Sequence, residues 1–112
     1  MQINKKTFEK FIKDHSFYYL PSQSKLSYPK LERILKRMMN DKELPPIKIA
    51  NGKIIEGHHR YLCAEYLKKE IAYVKGGVNH TPQIEYFWSE ILIEDIDWDQ
   101  EQDRKLYEKQ YD

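Results

Sequence analysis

Between Ile54 and Leu67 the chain changes its hydrophobic period across a single glycine. Ile54-Ile55-Glu56 reads as a short buried strand ending on a carboxylate, and Gly57 as a turn. A helix from about Arg60 to Lys69 then buries Leu62, Cys63, Tyr66 and Leu67 at helical spacing. A helix N-terminus carries backbone N–H groups without intrahelical partners and a partial positive charge. It is therefore a natural seat for an anion, phosphate above all. His58, His59 and Arg60 add three cationic or titratable side chains to that turn.

The flanking elements are read from local pattern. Asn4 caps a first helix carrying Phe8, Phe11 and Ile12, with Ile3 as a staple on Phe8. Phe17-Tyr18-Tyr19-Leu20 is aromatic, stops at Pro21 and predicts a strand; Ser22 to Ser27 is a polar connection. Tyr28-Pro29 opens the clearest helix, with Leu31, Ile34, Leu35, Met38 and Met39 on one buried stripe. Asn40 to Pro45 is a loop. Pro46–Ala50 and Lys53–Glu56 form a hairpin on Asn51-Gly52, a dipeptide that accepts the left-handed conformation such turns require. Ile71 to Val74 is a further strand, closed by Gly76-Gly77. Ile84 to Leu92 is expected to be a helix capped by Thr81 with Pro82 in its first turn. Ile93 to Trp98 is irregular or a short strand, and the tail from Gln100 is a polar helix. This order predicts an α+β fold, helices packed on a small mixed sheet, in one domain over residues 1–112 with 94–112 as an acidic extension.

A net charge of +1 conceals a gradient. Residues 1–50 carry 11 Lys/Arg against 5 Asp/Glu, and residues 94–112 carry 3 against 8. Lys30, Arg33 and Arg37 form a basic stripe beside the apolar face of their helix. A basic front suits a phosphate ligand or weak, sequence-independent DNA contact. A lone cysteine, no membrane span and no signal-peptide pattern lead to the expectation of a cytoplasmic protein without disulfides.

The landmarks Leu20-Pro21-Ser22, Tyr28-Pro29-Lys30-Leu31, Leu44-Pro45-Pro46-Ile47 and Gly57-x-His59-Arg60-Tyr61 occur in that order. Together they resemble the ParB/sulfiredoxin superfamily over roughly residues 16–92, and Glu56-Gly57-His58-His59-Arg60 looks closest to the turn of its free-serine kinases. The resemblance implies that Gly57, His59 and Arg60 hold nucleotide phosphates, with Lys30 assisting. The ligand it implies is a nucleoside triphosphate, ATP or CTP, with Mg²⁺. Sulfiredoxin's nucleophilic cysteine is replaced by His58, so sulfinic-acid reduction is not expected. The helix-turn-helix domain of centromere-binding relatives is absent, which argues against sequence-specific DNA partition.

Glu56, one residue before the glycine, is the candidate general base or Mg²⁺ ligand, and His58 the second candidate catalytic residue. A kinase would want another carboxylate near Leu20 to Ser27, where the chain offers none. A zinc site from His58, His59 and Glu56 with His15 or His80 is disfavoured, because adjacent histidines on a tight turn rarely address one metal. Asp95-x-Asp97-x-Asp99 lacks the glycine and glutamate of a calcium loop and reads as a solvated acidic tail. Three functions stay open: an NTP hydrolase or phosphotransferase, a non-catalytic module binding protein or DNA, and a ParB-like DNA nuclease.

Overall fold

The computed structural model describes residues 4–76, 86–102 and 105. Asn4 caps helix α1 (Lys5–Asp14) through a reciprocal pair: its Oδ1 accepts from the Thr7 N–H, and its own N–H donates to Thr7 Oγ1, both at 2.9 Å. Ser27 caps α2 (Tyr28–Met39), whose proline stands in the first turn, where no N–H is missed. Strands β3 (Ile47–Ala50) and β4 (Lys53–Glu56) join at Asn51-Gly52 with φ of 51° and 76°, as the dipeptide predicts.

Two sheets result. In the first the order is β1 (Leu20–Pro21), β4, β3, β5 (Tyr73–Lys75). The β1–β4 and β3–β5 pairs are parallel and β3–β4 is antiparallel. The second sheet pairs β2 (Lys25–Ser27) in parallel with β6 (Leu92–Glu94), with Leu26 opposite Ile93. Helix α3 (His58–Leu67) packs on α2, and both lie against the sheets. The mixed α+β class expected from the sequence is the class observed. One apolar core runs through Phe8, Leu26, Leu31, Leu35, Ile47, Ile54 and Leu62, all at most 1% exposed. Among the described residues no helix is long and apolar enough to cross a membrane.

Several local expectations are corrected. Phe17, Tyr18 and Tyr19 are not in a strand. The Tyr18 and Tyr19 amides donate to Tyr61 Oη, both at 3.2 Å, so a side chain takes the bonds a ladder would have taken. Phe17 stacks on Trp88 at 4.5 Å, and only Leu20–Pro21 pairs with β4. The polar connection after Pro21 holds β2. Met39 leaves the buried stripe and is 46% exposed, while Tyr66 and Leu67 are only partly buried. The helix expected over Ile84 to Leu92 does not form where the structure describes it. Trp88–Glu90 is a single 3₁₀ turn, and the chain continues into β6 with Leu92 exposed and Ile93 buried. Pairing with β2 and the Trp88 Nε1–H bond to the Tyr19 carbonyl (2.8 Å) outweigh the helical period there. Thr81, Pro82 and Ile84, the expected start of that helix, lie outside the described residues, as do Ile3, Gly77 and His80.

Candidate functional site

Gly57 adopts φ +96° and is the N-cap of α3. A Cβ there would meet Ile47 Cγ2 at 2.6 Å and an Arg60 guanidinium nitrogen at 2.7 Å, so both conformation and space demand glycine. The Arg60 guanidinium therefore folds back over the turn, and its Nη1 donates to the Pro45 carbonyl at 3.2 Å. Glycine offers no side chain to cap the first-turn N–H groups of α3, and Gly57 to Arg60 line the adjoining pocket. The helix begins at His58, two residues earlier than its hydrophobic period suggests.

His58 and His59 are turned inward, at 3% and 5% exposure. His58 Nε2 accepts the Ser22 amide at 3.0 Å, and His59 Nε2 accepts the Ser27 amide at 2.9 Å. Ser22 Oγ donates to the Ile54 carbonyl at 2.6 Å, tying β1, β4 and α3 together around the first imidazole. A backbone N–H can only donate, so each Nε2 carries no proton and each neutral ring holds its proton on Nδ1. Burial lowers the His58 pKa to about 4. Burial first, then the positive charges of Lys30, Arg60 and Arg33, lower that of His59 to about 3. Neither ring is a cation at neutral pH. Among the described residues neither Nδ1–H has a hydrogen-bond partner, although both residues line the pocket.

That pocket has a volume of about 330 Å³ and gathers Lys30, Arg33 and Arg37 from α2 with Glu56, Gly57, His58, His59 and Arg60. Every site residue expected from the sequence is thus brought to one cavity, at the small end of the range for ligand sites. Its formal positive charge comes from α2 and Arg60, and the histidines contribute neutral donors. Glu56 lies at the rim, its side chain 60% exposed and paired with Lys48 at 3.3 Å. The two residues face each other because a register shift in the β3–β4 ladder sets Lys48 opposite Glu56.

Two further residues of the pocket, Trp98 and Asp99, come from the acidic segment. The Trp98 ring stands edge-on to His59 at 5.2 Å. Arg33 makes a fork of bonds to Asp97 (2.8 and 2.7 Å) and a third to Asp99 (2.6 Å). Bonding to Asp97, above all, raises its pKa. Asp99 Oδ1 lies 3.8 Å from Lys30 Nζ, and its side chain is 10% exposed. The solvated tail expected for this segment is therefore corrected at Asp97 and Asp99: opposite charge on α2 holds both against the body. Their partners lie 64 and 66 residues away, beyond the reach of any local motif. The opposed charge excesses at the two ends of the chain were the only signal.

Cys63 is fully buried, its thiol pushed up by desolvation and aimed at the Leu31 carbonyl, so it has no access to a substrate. His15 pairs with Glu65 on another face. Among the described residues no group of three or more His, Cys, Asp or Glu is arranged to hold a metal ion. Comparison of the chain with protein-family models, curated proteins and solved structures found no match.

Proposed function

We propose that this pocket holds the phosphates of a nucleoside triphosphate. The observation that carries the reading is the convergence of unpartnered donors with positive charge: two buried Nδ1–H groups, the uncapped first turn of α3, Arg60 and Lys30 around one cavity. Phosphate oxygens accept hydrogen bonds and donate none when ionised, so a wall of donors suits them. The ParB/sulfiredoxin resemblance implies the same residues. ATP and CTP are the leading candidates, and a free, buried cysteine suits a cytoplasmic setting. Mg²⁺ bound with the nucleotide would offset phosphate charge; Glu56 at the rim is the carboxylate placed to hold it or to accept a proton from an attacking hydroxyl or water. His58 acts here as a neutral donor.

Calorimetric titration with ATP, CTP and GTP, each with and without Mg²⁺, tests the reading. Arg60→Ala removes a charge-assisted contact and lowers affinity roughly tenfold or more. An Arg60→Ala protein that is folded and binds with unchanged affinity would overturn it.

The Glu56–Lys48 pair favours a second reading, a binding module without turnover, because it holds the carboxylate to a lysine on the neighbouring strand. Glu56→Gln separates the two. In an NTP hydrolase or phosphotransferase it lowers turnover by roughly 10²–10⁴ while affinity stays within a few-fold. Absence of turnover in the wild-type protein with any triphosphate and Mg²⁺ or Mn²⁺ selects the module. DNA contact in either case is weak and salt-sensitive, since Asp97 and Asp99 already neutralise Arg33.

A further inference from the structure

The segment from Asp95 to Asp99 is fastened to the body at four places. Asp95 pairs with Lys5 at 3.0 Å, and Ser27 Oγ donates to the Ile96 carbonyl at 2.7 Å. Asp97 takes the Arg33 fork, and Asp99 takes a third Arg33 bond with Lys30 nearby. The Asp99 amide donates to Asp97 Oδ1 at 3.0 Å, which sets the two carboxylates side by side on one guanidinium. Three of these attachments are structural. The fourth lies inside the pocket, where Asp99 stands among the cations a phosphate ligand would use.

We propose that Asp99 is a resident anion of the pocket, displaced when a polyphosphate takes its place on Lys30 and Arg33. The proposal rests on the phosphate reading of the site and adds to it a condition on the ligand. Asp99 and a phosphate group cannot share Lys30 and Arg33 without like-charge repulsion in a partly desolvated space. The incoming ligand must also replace the favourable contacts that Asp99 gives up. A polyphosphate carries several negative charges on one chain and does this; a monoanion such as acetate brings one charge and no second contact. Segment 95–99 is then an acidic strap that holds the cations of α2 in place and excludes weakly charged ligands. Asp97, gripping Arg33 from outside the pocket lining, keeps the guanidinium positioned during the exchange.

Inorganic tripolyphosphate is the probe, because it carries the charge without a base. Its affinity is measured by calorimetry for the wild-type chain, Asp99→Asn and Asp95→Asn. Asp99→Asn keeps the size and one acceptor of the side chain, and binds tripolyphosphate about tenfold tighter or more, the worth of a charge-assisted contact. Asp95→Asn, which loses only the Lys5 pair, matches the wild type. Acetate at equal ionic strength competes with tripolyphosphate more effectively in Asp99→Asn than in the wild type. Equal or weaker tripolyphosphate binding by a folded Asp99→Asn, or no binding by either protein, overturns the proposal. Should Asp99→Asn not fold, Asp99→Ser is measured instead and carries the same expectation. Titration with ATP, CTP and GTP separates this proposal from the one before it. If Asp99→Asn gains affinity for tripolyphosphate but no nucleotide binds more tightly than tripolyphosphate, the strap stands and the nucleotide reading falls. If nucleotides bind the wild type and Asp99→Asn equally, the strap falls alone.

Discussion

The turn at Glu56–Arg60 and the segment Asp95–Asp99 meet in one pocket and reach it by opposite physics. At the turn, a run of three titratable or cationic residues gives up most of its charge. His58 and His59 are drawn inside, fixed by the Ser22 and Ser27 amides, and kept neutral by desolvation. The acidic segment keeps its charge and gives up its solvent, because Arg33 and Lys30 compensate Asp97 and Asp99 at the surface of α2. Formal charge in a sequence does not locate charge in a site. Where backbone donors are near, a histidine is worth more as a neutral acceptor on one nitrogen and a donor on the other; where cations are near, a carboxylate folds in.

Among single substitutions the largest expected effect falls on the turn. Gly57→Ala meets both a left-handed backbone and a clash with Ile47 and Arg60, and is expected to cost about 2–4 kcal/mol. Urea unfolding measures it, and a loss below about 1 kcal/mol would mean the turn relaxes easily and is not what positions Arg60.

Acidification acts on both histidines of the turn at once. Both histidines have pKa values lowered on folding, so the unfolded chain takes up protons below about pH 6.5 while the folded chain does not. Stability is therefore full above pH 6.5 and falls as the pH drops toward about 4, by about 1.4 kcal/mol per pH unit for each histidine. A His59→Gln protein should lose part of that slope. An unchanged slope between pH 6.5 and 4.5 would assign it to carboxylates and remove the contrast between the two regions.

Arg33→Gln probes the acidic segment. It leaves Asp97 and Asp99 without their fork, but their partial exposure lets water compensate, so about 1–2 kcal/mol is expected by denaturant unfolding. A cost as large as that of Gly57→Ala would show the strap to be part of the core rather than an attachment. Glu56→Gln should move stability by less than about 0.5 kcal/mol, since its pair with Lys48 is more than half exposed on both sides.

The same contrast sets what could be read from the sequence. The Asn4 cap, the Leu31–Met38 stripe and the Asn51-Gly52 hairpin are local, and each was legible because neighbours in sequence determine it. The strand–glycine–helix turn was legible for the same reason, and it brought Glu56, His58, His59 and Arg60 to one place. What failed was long-range. Tyr61 Oη supplying two amides at Tyr18 and Tyr19 dissolved an expected strand. A 3₁₀ turn at Trp88–Glu90 that runs into the parallel pairing of Leu92–Glu94 with Lys25–Ser27 stands where the described part of a helix was expected, although apolar spacing allowed both periods. Trp98 and Asp99 were missed as site residues because nothing near them in sequence indicates that Arg33 and His59 lie opposite.

The most direct test of the account is the state of the two imidazoles, followed by nitrogen-15 NMR across a pH titration and on addition of Mg²⁺–ATP or Mg²⁺–CTP. His58 and His59 are both expected to hold the Nδ1–H neutral form from pH 8 to below pH 5, and at neutral pH the two Nδ1–H resonances are expected to shift when the triphosphate binds. Rings that titrate near pH 6.5, or Nδ1–H signals unmoved by a triphosphate that binds elsewhere, would contradict it.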